Sequence, residues 1–584
     1  MQKALVYLSI PLFLFLASLR AESLAQKTLA DVLSDQVRRG VITEGQKIAI
    51  ELMAIKSPER VPAEYASLPM AGQCGTFYVN HARQRLPFLT QEDQALLIPL
   101  INRPSKDELP EEKISPSGLF KIHYSSEGQN MATAEFVDET ARTFDFVYDV
   151  EVRSMGYRPP PQDFGVDGAE YDIYIRNLGT LYYGITTGES PVSETSQDDV
   201  TSYIEIDNDF SHTPTKSLDG MRVTAAHEFF HAVQLGYRDY AQLQWIDPLF
   251  LYESSSSWIE DVVFDDINDY YYYLPSFFKV PDQQFHSSFG SHSNALCLFQ
   301  HMIAKKYGES ILRKIWENYQ FDQVFDALDL AFVEKGSSFQ NELVQFSIWN
   351  IFTGSRADTV RFYPEGAHYP EISPEKVFEF DEQTSFDGSL AALASRPYLL
   401  VPQVTCDLSL QPQFEEPFHW LYAIVYFPFQ GEPQYFITGG DKNKSIEQIR
   451  AFSEIWVIPT NVEVPEINHS TSPKEYSFDV EKGSIFESDE GVAAISPNPF
   501  KPHDHAKTRI QFSLSAPSSH VHLLVFSENG IQIKDISRGQ LPDGYNEASW
   551  DGRNEHGEMV PSGIYLVYIK ADKLIGPGKI AVIR

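Results

Sequence analysis

Two histidines and a glutamate near the middle of the chain have the spacing of a zinc-binding helix. His227 and His231 lie four residues apart in the HExxH sequence AHEFFHAVQ, so on a helix both rings project from one face and can share a metal ion. Glu228 lies beside the first histidine and can take a proton from a zinc-activated water. The pattern predicts a zinc hydrolase. The alternative is a buried helix with two hydrogen-bonded histidines.

The residues around this motif predict the helix that carries it. Apolar residues recur at helical spacing from Val223 to Val233. Asp219 is a candidate N-cap, and Gly236 is a candidate stop signal.

A third ligand is expected downstream, because two histidines leave a zinc site incomplete. Glu253 lies 22 positions after His231, near the start of a second helix predicted to begin near Leu251. This spacing suits His₂Glu coordination of one zinc ion per chain. Glu260 shares the helix face of Glu253. We expect Glu260 or Asp261 to hydrogen-bond a ligand imidazole, and either is an alternative ligand.

Four small residues follow Glu253 directly, the serines from Ser254 to Ser257. On a helix they would let it pack closely against the HExxH helix. The alternative is a serine-rich loop.

Two further features near this region are candidates for chemistry. Tyr270, the first of four consecutive tyrosines, is our candidate oxyanion donor, with its neighbours and His292 as alternatives. Ordinary packing is the competing interpretation. Asp265, Asp266 and Asp269 are candidate Ca²⁺ ligands, with an acidic surface loop as the alternative.

The composition excludes several classes of protein. With 584 residues, 42% hydrophobic and 22% charged, the chain is long enough for three to five folded domains. A net charge of −35 argues against nucleic acid and anionic membranes as partners.

The cysteines are too few for a disulfide framework or a cysteine-ligated zinc site. They are Cys74, Cys297 and Cys406. A bridge from Cys74 to Cys406 is one interpretation. Three unpaired thiols, with Cys297 in a helix core, is the other.

The first 25 residues have the pattern of a signal peptide. Lys3 precedes an apolar run from Ala4 to Leu19, and Ser23 and Ala25 fit a cleavage site. A membrane anchor is the alternative. No later stretch is apolar enough to span a bilayer, so we expect a mature chain without a transmembrane segment. It would be secreted or held at the surface of a Gram-negative-type bacterium.

Hydrophobic patterning predicts four further regions in a multidomain chain. Residues 26–112 have helical patterns and form an N-terminal subdomain or a propeptide. Residues 113–385 place strands before the HExxH helix and helices after it, the α+β order of zincin-type catalytic domains. Residues 386–488 predict a β-sandwich, and residues 489–584 an immunoglobulin-like β-sandwich after a linker near 487–496.

The same patterns predict individual elements. Strands are expected at Cys74–Thr76, Leu119–Tyr124, Tyr171–Ile175 and Tyr203–Ile206, and long helices at Thr133–Val152, Asn294–Glu317 and Leu328–Phe352.

The motifs AHEFFHAVQ, ESSSSWIED and NDYYYYL resemble a bacterial family of secreted metalloproteases first recognised in myxobacteria. More distantly they are similar to gluzincins with a W-x-x-E-G-x-A ligand helix. The resemblance runs from about Cys74 to Pro402. It implies zinc ligands His227, His231 and Glu253, with Glu228 as base. The chain departs from the gluzincin pattern at two places after the third ligand. Ser254 to Ser256 stand where Gly-x-Ala is usual, and Ser257 stands where thermolysin-like members place an aspartate, four residues after the ligand.

The C-terminal region has its own resemblance. It begins PNPF, continues with SGIY and ends in a basic, apolar strand, with Trp550 expected in the core. These motifs resemble the immunoglobulin-like domain of the flagellar hook-capping protein and the sorting domain of type IX secretion substrates. The resemblance implies recognition by the outer-membrane secretion machinery. An inert accessory sandwich is the alternative.

Together these patterns predict a secreted, zinc-dependent metallopeptidase of the gluzincin type that acts on a peptide or protein substrate. Two other interpretations stay open. One is a non-catalytic surface or adhesion protein that keeps a metalloprotease-like fold. The other is a zinc hydrolase of a non-peptide bond.

Overall fold

The structure, a computed structural model, describes residues 28–68, 74–163, 165–179, 182–192, 195, 198–239, 248–288, 290–380, 384–402, 408–428, 432–439, 444–446, 452–465, 472–482, 491–503, 506–572 and 574–584. The predicted signal peptide, residues 1–25, and Cys406 lie outside these ranges. The chain divides into two compact units. Unit 1 comprises Met1–Tyr273 and Ser288–Ala327, and unit 2 comprises Leu274–Ser287 and Leu328–Arg584.

The helices of the described residues are, in chain order, α1 Leu29–Arg38, α2 Glu44–Lys56, α3 Thr76–Arg85, α4 Gln91–Ile101, α5 Ala134–Tyr148, α6 Ser217–Leu235, α7 Leu249–Val263, α8 Leu274–Lys279, α9 His292–Ala295, α10 Cys297–Tyr307, α11 Ser310–Tyr319, α12 Val324–Val333 and α13 Phe339–Trp349. Within the same residues, no helix is long and apolar enough to cross a bilayer.

The strands of the described residues are β1 Glu111–Ile114, β2 Phe120–Tyr124, β3 Tyr171–Arg176, β4 Gly184–Pro191, β5 Val200–Asp207, β6 Lys376–Phe380, β7 Thr384–Leu390, β8 Ala394–Ser395, β9 Tyr398–Pro402, β10 Leu408–Phe414, β11 Trp420–Pro428, β12 Gln434–Gly439, β13 Lys444–Ile446, β14 Phe452–Asn461, β15 Lys474–Lys482, β16 Gly491–Ser496, β17 Thr508–Leu514, β18 Ser518–Ser527, β19 Gln532–Leu541, β20 Gly544–Trp550, β21 Gly563–Lys570 and β22 Leu574–Val582.

Unit 1 contains a five-stranded mixed sheet in the order β1-β2-β3-β5-β4. Strands β2, β3 and β5 are parallel, while β1 and β4 run antiparallel at the two edges. Every residue of β5 is buried, so this strand lies in the middle of the core. Three predicted strands are confirmed as β2, β3 and β5. The helix predicted at Thr133–Val152 is confirmed as α5, which ends at Tyr148 in a π-helical turn, Asp149–Ser154.

The N-terminal helices belong to unit 1. Residues of α2, α3 and α4 form one apolar cluster with Leu178, Tyr182 and Ile185, the last of which lies in β4. The boundary predicted at residue 112 therefore does not separate two compact units, because burial joins the helices to the sheet. The boundary predicted at 385 also differs from the division between the units, which falls after Ala327.

Two predicted long helices are wrong, because glycines break them. The helix predicted at Asn294–Glu317 is three helices, with Gly308 at a φ of 86° between α10 and α11. The helix predicted at Leu328–Phe352 is α12 and α13, with Gly336 at a φ of 76° between them. This left-handed backbone ends a helix even where the apolar pattern continues.

Unit 2 contains two β-sandwiches. The first pairs the sheet β13-β10-β15-β7 with the sheet β12-β11-β14-β9-β6 around an aromatic-rich core. It begins at Lys376, before the predicted start at 386. The second pairs β16-β17-β20 with β19-β18-β21-β22, and Trp550 is buried in its core as predicted. Its first strand, Gly491–Ser496, occupies part of the predicted linker. The multidomain, β-sandwich-rich architecture of the C-terminal part is confirmed.

Candidate metal centre

The HExxH motif lies on α6, which is buried from Gly220 to Leu235 except for one residue near its start. Its N-cap position is Lys216, and Asp219 pairs with Arg222 at 2.9 Å, so the predicted Asp219 cap is wrong. The two histidines face each other as their spacing predicts. Their Nε2 atoms are 3.1 Å apart.

The hydrogen bonds of Gln234 determine which nitrogen of His231 carries the proton. Gln234 Nε2 donates to the carbonyl oxygen of Tyr252 at 3.0 Å and to Ser256 Oγ at 3.2 Å. The amide oxygen Oε1 must then accept, so His231 Nδ1–H donates to it at 2.7 Å. This arrangement leaves the Nε2 lone pair of a neutral His231 directed at His227.

His227 is held in the same way by a carboxylate. Its Nδ1–H donates to Glu260 Oε1 at 2.6 Å, as the sequence predicts for Glu260. Burial raises the pKa of Glu260 to about 7, against the opposing effect of His227. Because Nδ1 is the hydrogen-bonding nitrogen in both rings, two neutral imidazoles would direct their Nε2 lone pairs at one point. Such an arrangement is repulsive unless a cation lies between them.

Glu253 supplies the next donor. It lies on α7, which begins at Leu249, close to the predicted start near Leu251. Its two carboxylate oxygens lie 3.6 Å from His227 Nε2 and 3.5 Å from His231 Nε2. Asn294 Nδ2 donates to Glu253 Oε2 at 2.8 Å and so fixes the carboxylate. Burial alone would raise the pKa of Glu253, but the hydrogen bonds with the two histidines outweigh it and hold the pKa far below its usual range.

The four serines lie on α7, so the loop interpretation is wrong. All four are buried. Ser256 Oγ lies 3.2 Å from His231 Nδ1 and accepts from Gln234, which places the serine face of α7 directly against α6.

A fourth donor comes from a residue that the sequence analysis did not assign to the site. Cys74 is a free thiol whose Sγ lies 3.4 Å from His231 Nε2. One atom of each of Cys74, His227, His231 and Glu253 lies within 4.8 Å of the others. Because Cys74 is a free thiol, it does not form the predicted bridge with Cys406. The other interpretation is confirmed for Cys297, a free thiol buried in α10.

This donor set fits zinc. Tetrahedral zinc with bond lengths of about 2.0–2.3 Å places its ligand atoms about 3.3–3.6 Å apart. The separations of 3.4, 3.5 and 3.6 Å agree with that requirement, and the two histidine Nε2 atoms, at 3.1 Å, are slightly closer. Burial would lower the pKa of His231, yet Cys74 and Glu253 raise it to about 10. The cluster therefore stabilises positive charge among its donors.

Glu228 lies beside the donors and is held by two threonines. Thr186 Oγ1 in β4 donates to Glu228 Oε2 at 2.7 Å, and Thr76 Oγ1 donates to the same oxygen at 3.0 Å. The other oxygen, Oε1, accepts from the Cys74 thiol at 3.6 Å. Gly184 leaves room for this carboxylate, since a Cβ there would lie 2.5 Å from Glu228 Cγ.

The cavity at the site does not include Tyr270, our candidate oxyanion donor, but it includes the alternative Tyr273. It is lined by Cys74, Tyr183, Val223, Thr224, His227, Glu228, Glu260, Asp269, Tyr273 and Asn294. Tyr270 is buried instead, with its ring centroid 5.2 Å from that of His301. Tyr183 and Tyr273 are the tyrosines at the cavity.

Two other predicted residues lie elsewhere. Asp261 Oδ2 is 3.8 Å from His301 Nε2, while Glu260 contacts the ligand histidine. The candidate Ca²⁺ ligands diverge, because Asp265 and Asp266 are exposed whereas Asp269 is buried and accepts from Thr215 Oγ1. Among the described residues these three aspartates do not form a metal-binding group.

One buried carboxyl near the site was also missed by the sequence analysis. Glu151 lies in the π-helical turn after α5 and is completely buried, and neither carboxyl oxygen has a hydrogen-bond partner among the described residues. Burial raises the pKa of Glu151 well above its usual value, while His227 and His231 oppose the rise.

Comparison with known proteins identifies relatives of the C-terminal part. The family described as the FlgD Ig-like domain matches residues 500–574. This confirms the resemblance to the hook-capping protein for the last domain. The match lies outside the metal centre. A search of curated proteins gives no match.

Three solved structures are similar to parts of the chain. The crystal structure of FlgD from P. aeruginosa has 24% identity over 16% of this chain and 68% of that chain, with a TM-score of 0.13. PorZ, a surface component of the type-IX secretion system of Porphyromonas gingivalis, has 18% identity over 18% of this chain and 14% of that chain, with a TM-score of 0.13. Latent PorU from the same organism has 8% identity over 36% of this chain and 19% of that chain, with a TM-score of 0.14.

Proposed function

We propose that the chain is a zinc-dependent metallopeptidase in which His227, His231 and Glu253 hold one zinc ion and Glu228 is the general base. The observation that carries the proposal is the pair of Nε2 atoms 3.1 Å apart, facing a carboxylate, with a second carboxylate beside them. When bound, zinc supplies a Lewis acid that polarises a carbonyl oxygen and lowers the pKa of water.

The protein groups divide the remaining work. Gln234 and Glu260 orient the two histidines, and Asn294 orients Glu253. Thr186 holds Glu228 Oε2, so Oε1 is the atom that would accept a proton from the attacking water and pass it to the leaving amine. The hydroxyls of Tyr183 and Tyr273 are our candidates for the oxyanion donor.

The sheet of unit 1 supports a zincin-type domain. Strand β4 is an antiparallel edge strand beside the HExxH helix, and Thr186 of β4 bonds both the backbone and the side chain of Glu228. An edge strand has free N–H and C=O groups to which an extended peptide can add. This arrangement favours a peptide over other hydrolase substrates.

The test combines metal content with hydrolysis. We expect about one zinc per chain in the wild type and in Glu228→Gln, because Glu228 is not a ligand. Cleavage of an unstructured protein substrate should fall by about 10²–10⁴-fold in Glu228→Gln, as for loss of a general base. The exposed Glu135 gives a matched control, Glu135→Gln, with unchanged cleavage. Undiminished cleavage in Glu228→Gln would contradict the proposal.

We also propose that the chain is exported and that residues 491–584 engage the outer-membrane secretion machinery. The signal-peptide pattern of residues 1–25 and the match of residues 500–574 to the FlgD Ig-like domain support this route. Deletion of residues 491–584 should shift the chain from the medium or cell surface to the periplasm, measured by fractionation. An unchanged distribution would contradict this assignment.

A non-catalytic surface protein is the second candidate, and one observation favours it. Zinc sites with four protein ligands are structural rather than catalytic, and Cys74 offers a fourth donor. In that case metal would be bound at one per chain with no cleavage in any variant.

A further inference from the structure

Cys74 comes from the N-terminal helical region, whereas the other three donors lie on the helix pair α6 and α7. Its sulfur is 3.4 Å from His231 Nε2, at the distance expected of two ligands of one zinc ion. A thiolate is a strong zinc ligand, and a hydrolytic site keeps its fourth position for water. A Cys74 thiolate would fill that position.

The residues that follow Cys74 lie along the outer edge of β4. Cys74 forms a parallel bridge with Gly184, and the N–H of Gly75 donates to the carbonyl oxygen of Gly184 at 3.3 Å. Further along the edge, the N–H of Thr186 donates to Thr76 Oγ1 at 2.7 Å. These contacts use the backbone groups that an added peptide strand would need.

Asn80 completes the cover with its side chain. Its Oδ1 accepts from the N–H of Gly188 at 2.8 Å, and its Nδ2 donates to the carbonyl oxygens of Thr186 at 3.0 Å and Thr76 at 2.8 Å. One carboxamide thus bonds an N–H and a C=O of β4, as a peptide unit of a neighbouring strand does. Asn80 is 3% exposed, so this contact is a buried part of the structure.

The same segment also engages the general base. Thr76 Oγ1 donates to Glu228 Oε2 at 3.0 Å, and Cys74 Sγ lies 3.6 Å from Oε1. Both oxygens of Glu228 therefore contact residues 74–76. The metal position, the substrate edge and the base are all covered by one stretch of chain.

We infer that residues 74–80, here called the covering segment, hold the enzyme in a latent form with the Cys74 thiolate as the fourth zinc ligand. This inference rests on the proposed peptidase function. Activation requires the bond between sulfur and metal to break, the thiolate to take up a proton or a covalent modification, and the segment to leave β4. The fourth position and the edge strand then become free together.

The structure also contains a place where the segment can be separated from the sheet. Residues 105–108, between α4 and β1, are exposed, and cleavage there leaves β1 and the rest of the sheet on the other fragment. The buried ion pair of Lys56 with Glu205 would be lost. Glu205 would keep Arg176 Nη1 at 3.1 Å, so this carboxylate is not left without a counter-ion.

The test compares the full-length wild type with Cys74→Ala, using Cys297→Ala as the matched control. All three should bind about one zinc per chain, since three ligands remain. Cleavage of an unstructured substrate should rise by at least about tenfold in Cys74→Ala, because only molecules with an open fourth position are active in the wild type. Adding Glu228→Gln to Cys74→Ala should abolish this gain.

Two readouts do not depend on activity. The cobalt-substituted wild type should show a sulfur-to-cobalt charge-transfer band that Cys297→Ala keeps and Cys74→Ala lacks. Chelation should expose one additional reactive thiol in the wild type and none in Cys74→Ala. If Cys74→Ala does not fold, the wild type is instead alkylated with iodoacetamide in chelator, where the thiolate displaces iodide, and zinc is then returned. Cleavage should rise after this treatment.

The outcomes separate the two proposals. Zinc binding with equal cleavage in the wild type and Cys74→Ala would overturn the latency and leave the peptidase function standing. A sulfur-to-cobalt band without cleavage in either protein would also overturn the latency and would make Cys74 a permanent ligand. Absence of metal from every protein would overturn the proposed function itself.

Discussion

Two parts of the metal centre differ in how they are built. The helix pair α6 and α7 supplies three donors from within 27 residues of sequence, from His227 to Glu253. The covering segment supplies Cys74 and Thr76 from more than 150 residues away. The first part would hold the metal through side chains that are fixed by their own hydrogen bonds. The covering segment lies over the metal position and the base, where Cys74 contacts His231 and Thr76 contacts Glu228.

The difference teaches which contacts are required and which are removable. Each donor of the helix pair has a buried partner, such as Gln234, Glu260 or Asn294. Cys74 is only half-buried, and its contacts at 3.4 and 3.6 Å are with the site itself. We therefore expect changes in the helix pair to affect metal binding most and changes in the segment to affect access.

The largest effect is expected from Glu253→Ala, which removes a ligand of the helix pair. The two histidines and Cys74 then remain, and Cys74 lies on the removable covering segment, so the helix pair by itself offers zinc an incomplete set of ligands and the purified chain should lose its metal. Zinc analysis after dialysis measures this directly. Stoichiometric zinc in Glu253→Ala would show that the covering segment holds the metal, and the comparison between the two parts would break.

The next effect is expected from Glu260→Ala, which removes the acceptor of His227 Nδ1. Loss of such an outer contact lowers zinc affinity by about 10–100-fold. Competition with a chromophoric chelator measures the affinity. Asp261→Asn is the matched control, because Asp261 lies near His301 rather than the ligands. An equal loss of affinity in both variants would contradict the role of Glu260.

A moderate effect on stability is expected from Asn80→Ala in the covering segment. The change leaves the N–H of Gly188 and the C=O of Thr186 without their side-chain partner, at a cost of about 1–3 kcal/mol. Urea unfolding measures the loss. Hydrogen exchange should quicken at the amide of Gly188 while that of Thr186, bonded to Thr76, stays slow. Equal acceleration at both amides would mean that the segment detaches as one piece.

The smallest effect is expected from Glu151→Gln, beside the helix pair. Because its folded pKa is raised above the usual 4.5, the folded state holds a proton that the unfolded state releases, so stability is lost as pH rises above 4.5. Glu151→Gln should be more stable than the wild type at pH 7 and similar near pH 4. Urea unfolding in chelator at both pH values measures this.

The donors of the helix pair can be predicted from local spacing in the sequence. The donor of the covering segment cannot, because it reaches the site through long-range contacts. His227 and His231 follow from helical periodicity, and Glu260 follows from sharing a face with Glu253. Cys74 has no such signal, because His231, the histidine that its sulfur contacts, is 157 positions away in sequence. The expected strand at Cys74–Thr76 is a single bridge residue followed by α3, because Thr76 begins a helix.

The sequence could not distinguish among the four tyrosines for a related reason. Tyr270 to Tyr273 are identical in type, and only the packing of the chain separates a tyrosine beside His301 from one at the cavity. The β-sandwich region was predicted more fully, because alternating apolar residues determine both the strands and their buried faces. Its predicted start at residue 386 is too late, because the first strand, β6, begins at Lys376, before the composition changes.

The edge of β4 has a consequence for handling and storage of the protein. An edge strand with open N–H and C=O groups is a template on which a second molecule can pair, and such pairing leads to aggregation. Asn80 and Gly75 occupy that edge in the structure. Any treatment that displaces the covering segment would therefore also create an adhesive surface, and the uncovered chain should be the less soluble form at high concentration.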